Sequence, residues 1–342
     1  MDILPFADMG ATAWDAFCDE SREAWLRHTT TFMTFGETMG EENHNLSFSL
    51  MEGGTIRAVV PIMVQTQGGV RVCSVGGHPT PYPALAEDLT PHERVTALDL
   101  IFGEIDRRAR EHHSTSIRMF VDPLTEPVVQ NEVLVNPLLE RGYRDTSIHT
   151  SCVDLTQIEE TLLQKMASRR RRYITAAERT GTYSVEVFDA HTITKEVFDA
   201  YVELYSNAAG RVVWSEPHTQ GTLNLIRAGA GLLVLLRASG ESGYRAGHMV
   251  MLYKQRAYDL SSAIVPAYRH DHDIGAVMQW ESMRYLKHSG YSHYEIGWLL
   301  PQTEEYSHKE RSISHFKSLF GGEVLPLFRG EKYYNIEESL IV

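Results

Sequence analysis

The segment RSISHFKSLFGGE, residues 311–323, holds the side chain with the clearest chemical potential in the sequence. Read as a helix, it puts Ile313, Phe316 and Phe320 on one stripe, at the i, i+3, i+7 spacing of a buried face. Lys317 takes the i+4 place on that stripe, just before a Gly-Gly break. An ammonium there has two uses. It snorkels, with its methylenes on the core and its charge in water, or it borders a cleft where a cation meets an anionic ligand or a developing negative charge.

Other stretches offer chemistry of different kinds. SRRRRYITAAERTG packs Arg169, Arg170, Arg171 and Arg172 into one helical turn, so that they point all round it. That pattern serves either a solvated basic face or the binding of phosphate or carboxylate. AAGRVVWSE places Arg211 and Trp214 just beyond a helix end, in the kind of loop where ligand contacts concentrate. In HDHD, residues 270–273, an extended chain puts His270 and His272 on one face and Asp271 and Asp273 on the other. Four consecutive residues cannot converge on one ion and H-E-x-x-H is absent, so solvated loop charges are expected there and no metal. Neither G-x-S-x-G, a P-loop nor a dinucleotide fingerprint occurs, which removes support from covalent catalysis, nucleotide hydrolysis and hydride transfer.

Composition narrows the classes further. With 342 residues, two domains of ordinary size are expected. Lys+Arg 32 against Asp+Glu 45 gives a net charge of −13, which argues against general nucleic-acid binding. Cys18, Cys73 and Cys152 are odd in number and far apart, so neither disulfides nor structural zinc is indicated. The start MDILPFADMG lacks the pattern of a secretory signal, and the apolar run AGAGLLVLLR is too short to span a bilayer. A soluble, cytoplasmic protein is expected.

The elements that must carry these residues read as a duplicated α/β plan. ATAWDAFCDESREAWLRH has helical periodicity through Trp14, Phe17 and Trp25, and NLSFSLMEGGTIRAVVPIMVQTQGGVRVCSV reads as antiparallel strands with Gly-Gly turns. HPTPYPALAEDLTPHE is a Pro-rich loop, and from Thr90 a helix begins with that threonine as N-cap and a proline at its first position. STSIRMFVD is a strand, and NEVLVNPLLERGY reads as a helix ending at Gly142. After the boundary come a long helix ending at Gly181, the strand YSVEVFD and the helix TKEVFDAYVELYSNAAGR. Three strands follow, GLLVLLRAS, YRAGHMVMLYK and RAYDLSSAIV, and then the helix IGAVMQWESMRYLKHSGY, the strand HYEIGWL and the opening segment. The expected domains are 1–157 and 158–342.

The stretch AYDLSSAIVPAYRHDHDIGAVMQWESMRYLKHSGY, strand, loop, helix and closing glycine, resembles the core unit of the GNAT acyltransferase fold. There a pattern like R-x-x-G-x-G cradles the diphosphate of coenzyme A at a helix N-terminus. Gly275 matches the last glycine and Arg269 or His270 stands near the arginine, but Asp271 and Asp273 replace glycines and repel a diphosphate. The wider sequence resembles the FemAB-like branch of that superfamily, which holds peptidoglycan bridge-forming aminoacyltransferases and acyltransferases of surface-polysaccharide clusters. The likeness runs through AVVPIMV, GGHPTPYPAL, LLERGYRDTSIHTSCVDL, SRRRRYITAAERTG, AAGRVVW, YDLSSA, YEIGW and the F-K-x-x-F-G-G core of the last segment.

This resemblance implies two tandem GNAT-like domains, each a mixed, mostly antiparallel sheet flanked by helices, with a cleft between them and the acyl-transfer site in the second. It implies an N-acyltransferase working by direct attack in a ternary complex, with no nucleophile elbow. Lys317 matches the family lysine and turns from snorkelling residue to cleft cation; Arg171 matches the family arginine before Ile174. Glu281 is the candidate base, with Glu310 and His308 as competitors, and Tyr258 the candidate hydroxyl near the leaving group. Arg211 and Lys309 are candidate anion binders, Phe316 lines the site, and Trp214 and Trp298 are candidate walls for a sugar or nucleotide ring. Arg269 and Gly275 mark the weakened donor loop. No tightly bound cofactor is expected, and the donor is an acyl-CoA, an aminoacyl-tRNA or an acyl carrier protein. The acceptor is expected to be the amine of a cell-surface glycan precursor, a nucleotide-linked amino sugar in polysaccharide biosynthesis. The alternatives are aminoacyl-tRNA-dependent transfer to a peptidoglycan precursor, and an inactive GNAT-like binding module.

Overall fold

A computed structural model describes residues 1–39, 41–125, 129–130, 133–271, 273–301, 303 and 305–334. The chain divides into two compact units, Met1–Ile148 with Pro326–Val342, and His149–Leu325.

In the first unit, helix Pro91–Glu111 opens on a capping box in which Glu93 N donates to the Thr90 hydroxyl and Thr90 N donates to the Glu93 carboxylate. Its buried stripe of Ala97, Ile101, Ile105 and Ala109 recurs every four residues. Hairpins Phe48–Glu52/Thr55–Val60 and Met63–Gln67/Val70–Cys73 are closed by Gly-Gly turns. Strands Val70–Cys73 and Ser116–Phe120 run parallel for only two residue pairs. Beyond that point Thr80–Pro81, from the Pro-rich segment, takes the place beside Met119 and Phe120.

The second unit is a seven-stranded sheet in the order Tyr183–Phe188, Gly231–Ala238, Ala246–Tyr253, Arg256–Ile264, His293–Leu299, Ile148–Asp154, Glu323–Leu327. Apolar residues continue through Leu232–Leu236 because both faces are covered. On one face, Leu232, Val234, Leu236 and Val250 meet Ile174 of helix Ser168–Thr180 and Trp280 and Met283 of helix Ile274–His288. On the other, Leu233, Leu235 and Met249 meet Phe198 and Tyr201 of helix Lys195–Ala209 and Leu223 and Ile226 of helix Glu216–Arg227. Strands Arg256–Ile264 and His293–Leu299 run parallel and pair only at Arg256↔His293, Ala257↔Tyr294 and Tyr258↔Glu295. They then part.

Several expectations change. Trp25 lies outside the first long helix, which ends at Glu20. The region before Gly142 holds strand Val133–Leu134 and a short 3-10 turn at Leu139–Arg141 instead of a helix, with Pro137 inside the stretch denying it a helical interior. The long helix of the arginine cluster breaks at Met166–Ala167, which leave the helical region, giving Glu159–Lys165 and Ser168–Thr180. Helix Glu216–Arg227, opened by a Ser215 cap, has no counterpart among the expected elements. The expected division after 157, with the tail in the second half, also shifts. Ile148–Asp154 pairs with His293–Leu299, and Arg329–Tyr333 pairs with Ser116–Phe120 in the first unit's sheet.

Candidate functional site

Two irregularities in the second unit's sheet shape the place where the parallel strands part. The pairing of Ala246–Tyr253 with Arg256–Ile264 slips so that Val250 faces Asp259 and Met249 faces Ser261, leaving Leu260 as an extra residue. The pairing of Ile148–Asp154 with His293–Leu299 slips likewise, leaving Ile296 extra between Glu295 and Gly297. Bulges of this kind bend a strand and re-aim its side chains. Both fall immediately beyond the last parallel pair.

Into this gap comes Lys317 from helix His308–Ser318, which a Ser307–Glu310 capping box begins. Its Nζ donates to Asp259 Oδ2 at 2.7 Å. Gly297 lies beside the ammonium with φ +110°, and a Cβ there would collide with Nζ. Glycine is therefore required twice over, for the backbone angle and for the cation's room.

Behind the pair lies a buried polar chain. Asp259 Oδ1 is 2.9 Å from His248 Nε2, and His248 Nδ1 is 2.9 Å from Ser282 Oγ. The Tyr294 hydroxyl is 3.2 Å from Nε2 and accepts from Gln279 Nε2 at 2.9 Å. Thr150 hydrogen-bonds to Glu295. His248 is fully buried, while the Asp259 and Lys317 side chains keep 12% and 19% of their surface exposed, so the chain opens at the lysine end.

Both members of the pair are held in their charged forms. Burial works against the Asp259 carboxylate, but the Lys317 ammonium and the His248 hydrogen bond outweigh it and bring the carboxyl from 3.8 to about 2. Burial likewise works against the Lys317 ammonium, and Asp259, with Glu295 further off, more than offsets it and raises the group above 10.5.

The rest of F-K-x-x-F-G-G builds the fold around Lys317. Phe316 and Phe320 meet edge to face at 5.0 Å, and the Arg170 guanidinium lies over Phe316 at 4.7 Å. Gly321, with φ +77°, admits the Lys165 backbone, which a Cβ would strike at 2.7 Å. Ile313, expected on the buried stripe, is 45% exposed, whereas its neighbour Ser314 is buried and hydrogen-bonds the Leu300 backbone.

Other residues singled out from sequence fall in different places. The arginine stacked on the Phe-Lys segment is Arg170, whereas Arg171 donates to the Gln164 carbonyl at 2.5 Å. Glu281 bonds Arg284 at 3.1 Å, in a group with Glu159 and Glu178, on a different side of its helix from Ser282 and Gln279. Burial raises its carboxyl above the usual value, against the pull of Arg284. Tyr258 is buried at the last parallel pair, opposite Glu295. Glu310 is engaged in its capping box, and His308 and Lys309 are exposed on the first turn of that helix. Trp298 is 47% exposed on the strand just past Gly297. Trp214 is stacked between Tyr205 at 5.0 Å and His218 at 4.9 Å, with exposed Arg211 in the loop before it. Tyr201 of the same aromatic group reaches Ser261 Oγ at 2.8 Å, on the strand that carries Asp259.

At the loop corresponding to a diphosphate cradle, Arg269 bonds the Ala208 carbonyl. A Cβ on Gly275 would stand 3.1 Å from the Phe316 ring. Asp273 precedes the helix and hydrogen-bonds Tyr183. His272, part of the HDHD stretch, lies outside the described residues. Among the described residues no group of three or more His, Cys, Asp or Glu is arranged to hold a metal, and no helix is long and apolar enough to cross a membrane.

Asp259, His248 and Ser282 are functional candidates that the sequence motifs do not single out. The available signal is a histidine inside the apolar strand AGHMVMLY and an aspartate inside YDLSSA, polar groups in strands that bury both faces.

Residues 164–310 match the family model of the acetyltransferase (GNAT) domain, and Lys317 lies just beyond that stretch. No curated protein matches the chain in sequence. Among solved structures, FemX is similar over 96% of this chain and 97% of its own, with TM-score 0.72 at 13% identity. L-PGS from Bacillus licheniformis is similar over 97% and 94%, with TM-score 0.59 at 13% identity. A tandem GNAT protein from the clavulanic acid biosynthesis pathway is similar over 96% and 98%, with TM-score 0.56 at 13% identity. Residues 164–310 thus match a GNAT acetyltransferase domain, and the chain as a whole has a fold similar to that of FemX and of a tandem GNAT protein.

Proposed function

We propose that this protein is an N-acyltransferase that moves an acyl group from an activated ester or thioester to the amine of a cell-surface glycan precursor, a nucleotide-linked amino sugar. The observation that carries the reading is the Lys317 ammonium, held at 2.7 Å by Asp259 where the two parallel strands part and partly open to solvent. A fixed cation at such an opening suits an oxygen that gains negative charge as a neutral amine attacks a carbonyl. The amine gives up one proton and the leaving oxygen or sulfur takes one, so no covalent enzyme intermediate is required. Trp298, beside Gly297, is the surface offered to an acceptor ring, since the Trp214 ring is already stacked on Tyr205 and His218.

The donor reading follows from the loop at Gly275. Asp271 and Asp273 are carboxylates where a diphosphate would need backbone N–H groups, Phe316 stands against Gly275, and Arg269 is engaged with a carbonyl. These residues do not fit a coenzyme A diphosphate held in the usual way. That favours, as second reading, an aminoacyl ester on tRNA as donor and a peptidoglycan precursor as acceptor. Arg169, Arg171 and Arg172, for which no carboxylate lies within ion-pair distance among the described residues, are then the contacts for its phosphates.

The test is a mass-spectrometric assay with acetyl-CoA, charged tRNA or an acyl carrier protein as donor, against nucleotide-linked amino sugars and lipid-free peptidoglycan precursors as acceptors. An acylated amino sugar supports the first reading. Product formed only with charged tRNA and a peptidoglycan precursor replaces it by the second. Acceptor binding without product from any donor would mean a binding module.

A further inference from the structure

The buried end of the Lys317–Asp259 pair contains a histidine whose hydrogen bonds can be counted. Ser282 has one hydroxyl proton and two atoms to give it to, His248 Nδ1 at 2.9 Å and the Met278 carbonyl at 2.8 Å. With Nε2 protonated toward the Asp259 carboxylate, so that the Tyr294 hydroxyl at 3.2 Å does not donate to it, two arrangements follow. In the first, Ser282 donates to Nδ1, and the single ring proton sits on Nε2 and is donated to Asp259 Oδ1. In the second, Nδ1 also carries a proton and donates it to Ser282 Oγ, whose own proton turns to the Met278 carbonyl. The Nε2–H to Asp259 bond is common to both. Gaining a proton at Nδ1 therefore costs a hydroxyl rotation and no hydrogen bond.

The charges around the ring follow from the packing. Strand Arg256–Ile264 presents Asp259, and strand His293–Leu299 presents Tyr294 with Glu295 next to it. Helix His308–Ser318 presents Lys317 through Asp259, and helix Lys195–Ala209 presents Tyr201 and Tyr205, both under the influence of Asp259. Helix Ile274–His288 presents the neutral Ser282 and Gln279, its Glu281 being paired with Arg284. With a neutral ring, Lys317 and Asp259 cancel. With a second ring proton, the carboxylate is shared between two cations, and the ammonium at the open end is less neutralised for an incoming anion.

We propose that His248 is a positioning residue for Lys317, acting through Asp259, and that Ser282 lets it hold one proton or two without releasing that carboxylate. Only the catalytic consequence rests on the acyltransfer reading above. The hydrogen-bond arrangement is measurable on the free protein, so a failed activity screen and a failed proposal are distinguishable.

The experiment is nitrogen-15 NMR of the full chain between pH 5 and 8, following the His248 ring nitrogens and the Lys317 ammonium, the latter assigned by its loss in Lys317→Met. The expected result is a step in the Lys317 signal at the pH where His248 Nδ1 gains its proton. In His248→Gln, whose amide reaches the Nε2 position and still donates to Asp259, the ammonium signal should remain and the step should be lost. A Lys317 signal without that step in the wild type, or with the same step in His248→Gln, overturns the proposal. Should His248→Gln not fold, Ser282→Ala decides the matter. Without the hydroxyl the protonated Nδ1 loses its acceptor, a charge-assisted bond, so the step should move to lower pH than in the wild type, and an unmoved step overturns the proposal.

Discussion

Lys317 Nζ and Asp259 Oδ2 are 2.7 Å apart at the place where the sheet's parallel strands stop pairing. Each strand carries an extra residue just past the last pair, Leu260 on one and Ile296 on the other. The cation thus occupies a gap that the backbone opens. In the first unit the corresponding parallel pair also parts after two residues, but there Thr80–Pro81 lies alongside and completes the sheet. In the second unit it is the Lys317 side chain that lies at this place, beside Asp259 and Gly297.

Replacing Lys317 by alanine removes the cation and leaves a buried carboxylate short of its partner. Loss of one oxyanion partner typically lowers turnover by about 100- to 1,000-fold, and breaking a buried pair from one side costs about 3–5 kcal/mol. Lys317→Ala should show both losses, whereas Lys317→Ala with Asp259→Asn should recover much of the stability and none of the activity. Thermal melts beside the transfer assay check this. Recovery of activity in the double variant would remove Lys317 from catalysis.

Stability should follow the pair's titration in both directions. Asp259 is lowered from 3.8 to about 2 in the folded state, so its contribution is present above pH 3.8 and is lost as pH falls toward 2. Lys317 is raised above 10.5, so its contribution is present below that value and is lost as pH rises through the higher folded value. Between pH 4 and 2 the wild type should lose on the order of 2 kcal/mol that Asp259→Asn does not. Denaturant midpoints at pH 4 and pH 2 for the two proteins measure it, and equal acid losses would mean that the pair is not formed.

Gly297 is where a single methyl group tests the site's geometry. Alanine there meets both an unfavourable φ of +110° and the Lys317 ammonium. The backbone strain alone is worth about 1–3 kcal/mol. Gly297→Ala should therefore displace Lys317 from Asp259 and reduce turnover, while far-ultraviolet circular dichroism stays that of the wild type. A crystal structure of the variant with the 2.7 Å contact intact would show the close approach to be unnecessary.

The tandem α/β plan is legible in the sequence because its signals are local. Thr90 with Pro91 marks a helix start, and paired glycines mark the hairpins, as found. The F-K-x-x-F-G-G core points to Lys317 although one of its stripe residues, Ile313, stays in solvent. Contacts between distant residues are not legible in this way. Asp259 and Lys317 are separated by 58 positions, and His248 and Ser282 by 34, so no periodicity joins them. The break at Met166–Ala167 is hidden because Leu162 to Lys165 before it and Arg169 to Arg172 after it are all good helix formers. The return of Arg329–Tyr333 to the first unit's sheet is hidden because strand partners follow from topology, which a single sequence does not encode locally.

Glu281 and Asp259 separate two accounts of the chemistry. As a base, Glu281 fits the sequence, since it lies one turn into the helix after the donor loop. In the structure it is bound to Arg284, among Glu159 and Glu178, while the neighbouring Ser282 reaches the His248 chain. Removing its charge leaves Arg284 with two other carboxylates and leaves Lys317 with all its contacts. Glu281→Gln should therefore keep turnover within about threefold of wild type, as for a surface substitution away from the site, whereas Asp259→Asn should lose at least about tenfold through a misplaced ammonium. The transfer assay run over pH 6–9 on both variants decides. A large loss in Glu281→Gln that shrinks as pH rises would restore Glu281 as the base, because added hydroxide would then supply what the carboxylate had done.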